Sequence, residues 1–161
     1  MNLAAMKLAM KDSIFNVIEQ MFFLPIDIKE TNGSADTGLQ NTSLITAGVG
    51  FAGPADGRFM LSIPVDLATT MAADFLGISS EMISSKQIIG TAKEMINMLA
   101  GSTLSAYEPE EAFNLQIPKI IAVPEPAKVC LEPDESILML IVTPDSRMTF
   151  RLDPAGNGKN A

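Results

Sequence analysis

The chain contains no histidine, which removes His-based catalytic triads and His-ligated metal sites from consideration. It has a single cysteine, Cys130, so no intrachain disulfide can form and a reducing cytoplasm is the expected compartment. Cys130 lies in the strand-like Lys128–Leu131 and reads as a buried small hydrophobe. Basic residues are scarce: eleven Lys and Arg face nineteen Asp and Glu, a net charge of −8. Binding a phosphate backbone depends on clustered cations, so nucleic acid is not an expected partner and a protein is. Long apolar runs are missing too. The longest, Ile137–Val142, falls far short of the ~20 residues that span a bilayer. Lys7 and Lys11 interrupt the apolar N-terminal stretch, so neither a signal peptide nor membrane insertion is expected. Tryptophan is absent, whereas methionine is abundant at eleven residues, mostly as adaptable core filling.

What is present suits one α+β domain. A chain of 161 residues buries about 68–70 % of its unfolded surface and needs neither cofactor nor disulfide to hold together. Met6, Met10, Ile14, Val17, Ile18 and Met21 recur at helical spacing, predicting a first helix over Asn2–Leu24 that stops at Pro25. Thr31–Asn41 reads as a polar loop. Ser43–Phe51 and Gly57–Ile63 read as a hairpin around the turn Ala52–Asp56. Val65–Leu76 reads as a second helix, with Asp66 near its positive end and Gly77 as its stop. Ser79 or Ser80 is placed to cap the next helix, with Glu81 in the first turn. After that central helix, Phe113–Val123 is strand-like but interrupted by Pro118. Lys128–Leu131, Ser136–Thr143 and Arg147–Leu152 are the remaining expected strands, the last two joined by the turn Pro144–Ser146. Short turns imply a largely antiparallel sheet covered by long helices, and helix-then-strands occurring twice hints at pseudo-duplication. The domain is expected over 1–153, with 154–161 fraying.

The most informative stretch is Ser84–Tyr107, one amphipathic helix. Ile88, Ile89, Ala92, Met95, Ile96 and Leu99 fall on an apolar arc, and Gly90, Thr91, Glu94, Asn97 and Gly101 on the opposite one. Glu94 and Asn97, three apart, project side by side. Two glycines on that face, each costing roughly 0.5–1 kcal/mol against alanine, suggest close approach to the backbone from outside. A carboxylate can hold a partner's lysine, and a carboxamide can orient a water without taking its proton outright. Phosphoryl hydrolysis depends mostly on such placement. Taken alone, E-x-x-N on a helix recurs constantly by chance and reads as two solvated surface residues. Glu108, Glu110 and Glu111 read as a solvated loop, since their spacing matches no EF-hand.

The surrounding residues carry a more specific signal. Lys93–Gly101, followed by Leu115–Ile121 with Pro118, resembles the CheC/CheX/FliY chemotaxis phosphatases: a helical E-x-x-N, a glycine one turn on and a proline some twenty residues further. Asp56–Pro64 leading into Val65–Ala68 is similar to the family's strand that feeds a helix, and the similarity runs from about Phe15 to Leu152. Only one motif is present, since Glu19 in the first helix is followed three residues on by Phe22, and one motif in the second half is the CheX pattern. The chain departs from the family at Gly90, where Ser or Asp is usual. The resemblance implies a CheC-like fold and a homodimer paired through sheet strands. It also implies a phosphorylated CheY-type receiver as partner, with Mg²⁺ on the receiver and no cofactor on this chain. Asn97 would orient the attacking water and Glu94 would pair with a receiver lysine. Gly90, Thr91 and Gly101 would flank them at the contact, Gly101 allowing close helix approach and Pro118 shaping the strand after the helix. The competing readings are a non-catalytic module that docks a receiver or flagellar-switch-like partner, and a structural dimer with an incidental polar patch.

Overall fold

The computed structural model describes residues 1–31, 37–39, 42–121 and 136–155. Its first helix, α1 (Leu3–Ile14), begins where the Asn2 side chain accepts a hydrogen bond from the Ala5 N–H at 3.1 Å, satisfying one of the free donors at a helix start. It runs on through a π-helical turn, Phe15–Glu19. The wider turn shifts the helical phase, so Val17, Ile18 and Phe22 point inward while Met21, expected in the apolar stripe, is 49 % exposed.

Among the described residues, seven antiparallel strands form one sheet in the order β1-β6-β7-β3-β2-β4, with β5 also paired to β2. The hairpin is as expected, β2 (Leu44–Ala52) against β3 (Gly57–Pro64). Pro64 hands directly over to α2 (Val65–Leu76), and Gly77, at φ +69°, supplies the left-handed stop. β4 (Asn114–Leu115) and β5 (Lys119–Ile120) are one strand broken at Pro118, both along the outer side of β2. β6 (Ile137–Val142) and β7 (Arg147–Pro154) pair through the turn at 144–146, where Thr143 N–H donates to Ser146 O at 2.9 Å. β1 (Asp27–Thr31), which no sequence signal announced, adds an edge to β6.

This order supports the expected duplication. The second strands of the two halves, β2 and β6, each carry on their outer side the first strand of the other half, while β3 and β7 meet in the middle. The inward sheet residues, among them Val49, Phe59, Leu61, Met139, Ile141 and Phe150, form one core with Met6, Met10 and Ile14 of α1, Met71 of α2, and Met95, Ile96 and Leu99 of the central helix α3 (Ser85–Tyr107). Phe59 and Phe150 stack at 5.3 Å across β3 and β7. The sheet thereby presents α3 on its helical layer, against α1, α2, β2 and β3.

Two expectations change at the ends of elements. Ser79 and Ser80 do not cap α3; they enter a separate short 3-10 turn at Ser80–Met82, and Ser84 is the cap. Pro154 closes β7 and the Ala155 N–H donates to Asp56 O at 2.9 Å, so Pro154 belongs to the sheet and Ala155 is tied to the turn before β3, where a fraying tail was expected from 154. The strand expected at Lys128–Leu131, the burial of Cys130, residues 156–161, and most of the Thr31–Asn41 loop lie outside the described residues.

Candidate functional site

The central helix is fixed at both ends and in the middle. At its start Ser84 and Gln87 form a reciprocal capping box: Gln87 N–H donates to Ser84 Oγ at 3.1 Å and Ser84 N–H to Gln87 Oε1 at 2.9 Å. At its end the Tyr107 hydroxyl accepts from the Asn2 N–H at 2.9 Å, tying it antiparallel to α1. Between them the Leu99 carbonyl accepts two buried hydroxyls, Ser13 Oγ at 2.8 Å and Thr103 Oγ1 at 2.7 Å. Met95, Ile96, Leu99 and Ala100, at most 1 % exposed, bury the inner face. Asn97 therefore sits on a helix that cannot readily turn about its axis.

The outer face carries Gly90 and Glu94, both exposed, and Asn97 and Gly101, both half-buried. Neither the Glu94 carboxylate nor the Asn97 amide has a hydrogen-bond or ion-pair partner among the described residues. Both are free to meet something outside the chain. A Cβ added at Gly90 would meet nothing within 4 Å, and one at Gly101 would lie 3.7 Å from Leu115 Cδ1, an ordinary contact. Packing within the chain therefore requires neither glycine.

Two positions differ from expectation. Thr91, placed on the wet arc by its spacing, is only 5 % exposed, and its hydroxyl donates to Gln87 O at 2.9 Å. That bond satisfies the one polar group burial would strand, and it takes Thr91 off the contact face. Ile89, assigned to the apolar arc, is 36 % exposed. Pro118, lacking an N–H, sits between two bonds to β2, from Gln116 N–H to Gly50 O (2.9 Å) and from Ile121 N–H to Thr46 O (2.8 Å). On β2, Gly48 lies under the tip of the Ile121 side chain and Gly50 under the tip of the Gln116 side chain, both from the broken strand. Sequence reading missed them.

Sequence reading also missed a cleft of about 250 Å³ that begins at Gly101 and is lined by Leu104, Glu108, Glu111, Phe113 and Leu115 among others. The signal for it was the eleven-residue step from Asn97 to Glu108, three turns that return to the same face. Among the described residues no group of three or more acidic or sulfur ligands gathers to hold a metal, and no helix is long and apolar enough to cross a membrane. Chemically, the ridge offers a cation-binding carboxylate beside an amide able both to donate and to accept. It has no adjacent nucleophile and base.

Several known proteins share this architecture. The CheX from Borrelia burgdorferi, solved in complex with CheY, BeF3 and Mg²⁺, superimposes with a TM-score of 0.72 at 16 % identity, covering 92 % of this chain and 96 % of its own. The chemotaxis protein CheX from Vibrio vulnificus gives 0.75 at 14 % identity (96 % and 99 %). A chemotactic CheC-like protein from Shewanella oneidensis gives 0.70 at 17 % identity (96 % and 100 %). At such identities the likeness is one of fold. No match was found among curated proteins. The family described as chemotaxis phosphatase CheX matches residues 45–137, from β2 through the whole of α3 to the start of β6. By that match, which takes in Glu94 and Asn97 along with β2 to β5, the chain belongs to the CheX family.

Proposed function

We propose that this protein hydrolyses the aspartyl phosphate of a CheY-type receiver in the cytoplasm, ending a chemotaxis signal, with α3 as the helix that enters the receiver's active site. The observation that carries the reading is the pairing of Glu94 and Asn97 on one outward ridge, unpartnered among the described residues, between two glycines that the fold itself does not need. The CheY complex of the Borrelia burgdorferi CheX supports the choice of partner.

In this reading Glu94 pairs with a receiver lysine and sets the depth and direction of docking. The Asn97 amide binds a water in line with the phosphorus, opposite the carboxylate leaving group. Water oxygen then bonds to phosphorus as the acyl phosphate bond breaks. The amide does not act as a base; its contribution is placement, which for phosphoryl transfer is most of what a protein can supply. A Mg²⁺ bound by the receiver would supply charge neutralisation for the phosphoryl group, and no residue of this chain is needed to hold it. The protein acts as a homodimer paired through sheet strands.

One observation favours a second reading, docking without hydrolysis: at Gly90 the chain has no side chain where the family usually has Ser or Asp. Steady-state dephosphorylation separates the two. Under the first reading Glu94→Ala raises KM for the phosphorylated receiver with kcat retained, and Asn97→Ala lowers kcat with KM retained. Tight binding by the wild type without faster phosphate loss supports the second reading. Unchanged KM in Glu94→Ala removes the salt-bridge role.

A further inference from the structure

The cleft beyond Asn97 takes no part in the chemistry just proposed, yet it opens on the same face. Gly101 lies about 6 Å and Glu108 about 16 Å along the axis from Asn97, with Glu108 only about 20° away in rotation. A receiver seated with its phosphate at Asn97, being a domain some 30 Å across, would overlie the cleft. Leu104, which is buried, and Phe113 and Leu115, which are half-buried, give the cleft its apolar lining, while Ser105, Glu108 and Glu111 give it a polar lining that makes up the larger exposed share. Neither carboxylate has an ion-pair or hydrogen-bond partner among the described residues.

A cleft that combines apolar side chains with two unanswered carboxylates suits an aliphatic stem with a cationic head. We infer that the cleft takes a lysine or arginine of the docked receiver, distinct from the lysine that meets Glu94. This rests on the receiver being the partner. Glu94 and Glu108 are then two acidic anchors about 21 Å apart along α3, with the reacting phosphate between them. A receiver is selected by carrying basic groups at that spacing. Such a contact also gives Gly101 a reason. Alanine there fits the fold, with its Cβ 3.7 Å from Leu115, but any side chain would narrow the cleft at the end nearest the phosphate.

The test uses the full chain and a phosphorylated CheY-type receiver that the wild type turns over. Glu108→Gln combined with Glu111→Gln should raise KM about three- to tenfold and flatten its salt dependence, with kcat within about twofold. Gly101→Met, which fills the cleft while improving helix propensity, should raise KM without lowering the melting temperature. Reversing both charges to lysine should raise KM further, and a Lys→Glu or Arg→Glu change on the receiver should recover it. Unchanged KM and salt dependence in the Gln pair overturn the inference while leaving the phosphatase reading intact, as does a fall in kcat alone. If the wild type turns over no receiver, both fall together.

Discussion

Replacing Gly90 by alanine isolates what the fold requires from what a partner requires. The position is in the exposed interior of α3, and an added Cβ has nothing within 4 Å. Alanine should therefore gain the full helix-propensity difference, about 0.5–1 kcal/mol, with no steric offset. For a domain of this size 1 kcal/mol corresponds to about 2–4 °C, so Tm should rise by about 1–4 °C. The urea midpoint should rise with an unchanged slope, since no surface is newly buried. The same variant should bind the phosphorylated receiver less tightly if the receiver's backbone passes over this turn. A drop in Tm would refute the reasoning that the fold has no use for a glycine here. A rise in Tm with unaltered KM would remove close approach as the reason for it.

Three further changes probe the scaffold. Phe23 has φ +54° and is 85 % exposed; a left-handed backbone costs an ordinary residue roughly 1–2 kcal/mol, so Phe23→Asn should stabilise by about 1 kcal/mol in urea denaturation, and destabilisation would contradict this. Glu30 accepts salt bridges from Lys11 at 2.9 Å and Lys7 at 3.3 Å. The Lys11 hydrogen bond holds the Glu30 carboxyl below its ordinary range, against a smaller opposing desolvation and with Lys7 adding to it. A carboxyl depressed on folding contributes stability above its unfolded pKa and loses it as pH falls through the folded one. Glu30→Gln should thus cost under about 1 kcal/mol near neutrality, these side chains being more than a third exposed, and nothing in acid; a cost that persists in acid would contradict the assignment. Ser13→Ala should cost about 1 kcal/mol, since Leu99 O keeps its bond from Thr103; no change in the urea midpoint would mean the Ser13 bond contributes nothing.

The parts legible in sequence were those with a strong period or a strong stop. Val65–Leu76 was bounded by Pro64 and Gly77, and α3 by its long amphipathic pattern; both stand. β1 was invisible because Asp27–Thr31 turns only one apolar residue, Ile28, toward the helices, and its other inward group, Glu30, meets α1 through lysines instead of packing. Met21 was misplaced because a π turn inserts a phase shift that a fixed 100° step cannot anticipate. Thr91 was misplaced because its polarity is satisfied within its own helix. At the candidate site, Glu94 and Asn97 were found by spacing and stand on the outer face. The cleft depends on β4 folding back beside α3, a non-local contact that no local pattern encodes.

The role proposed for the Asn97 amide, placing the attacking water, is tested most directly by single-turnover decay of a phosphorylated CheY-type receiver at saturating concentrations of this protein. With the wild type, decay should run well above the receiver's own rate. With Asn97→Ala it should return toward that rate, a loss of about 10²-fold. Equal acceleration by the wild type and Asn97→Ala would contradict that role.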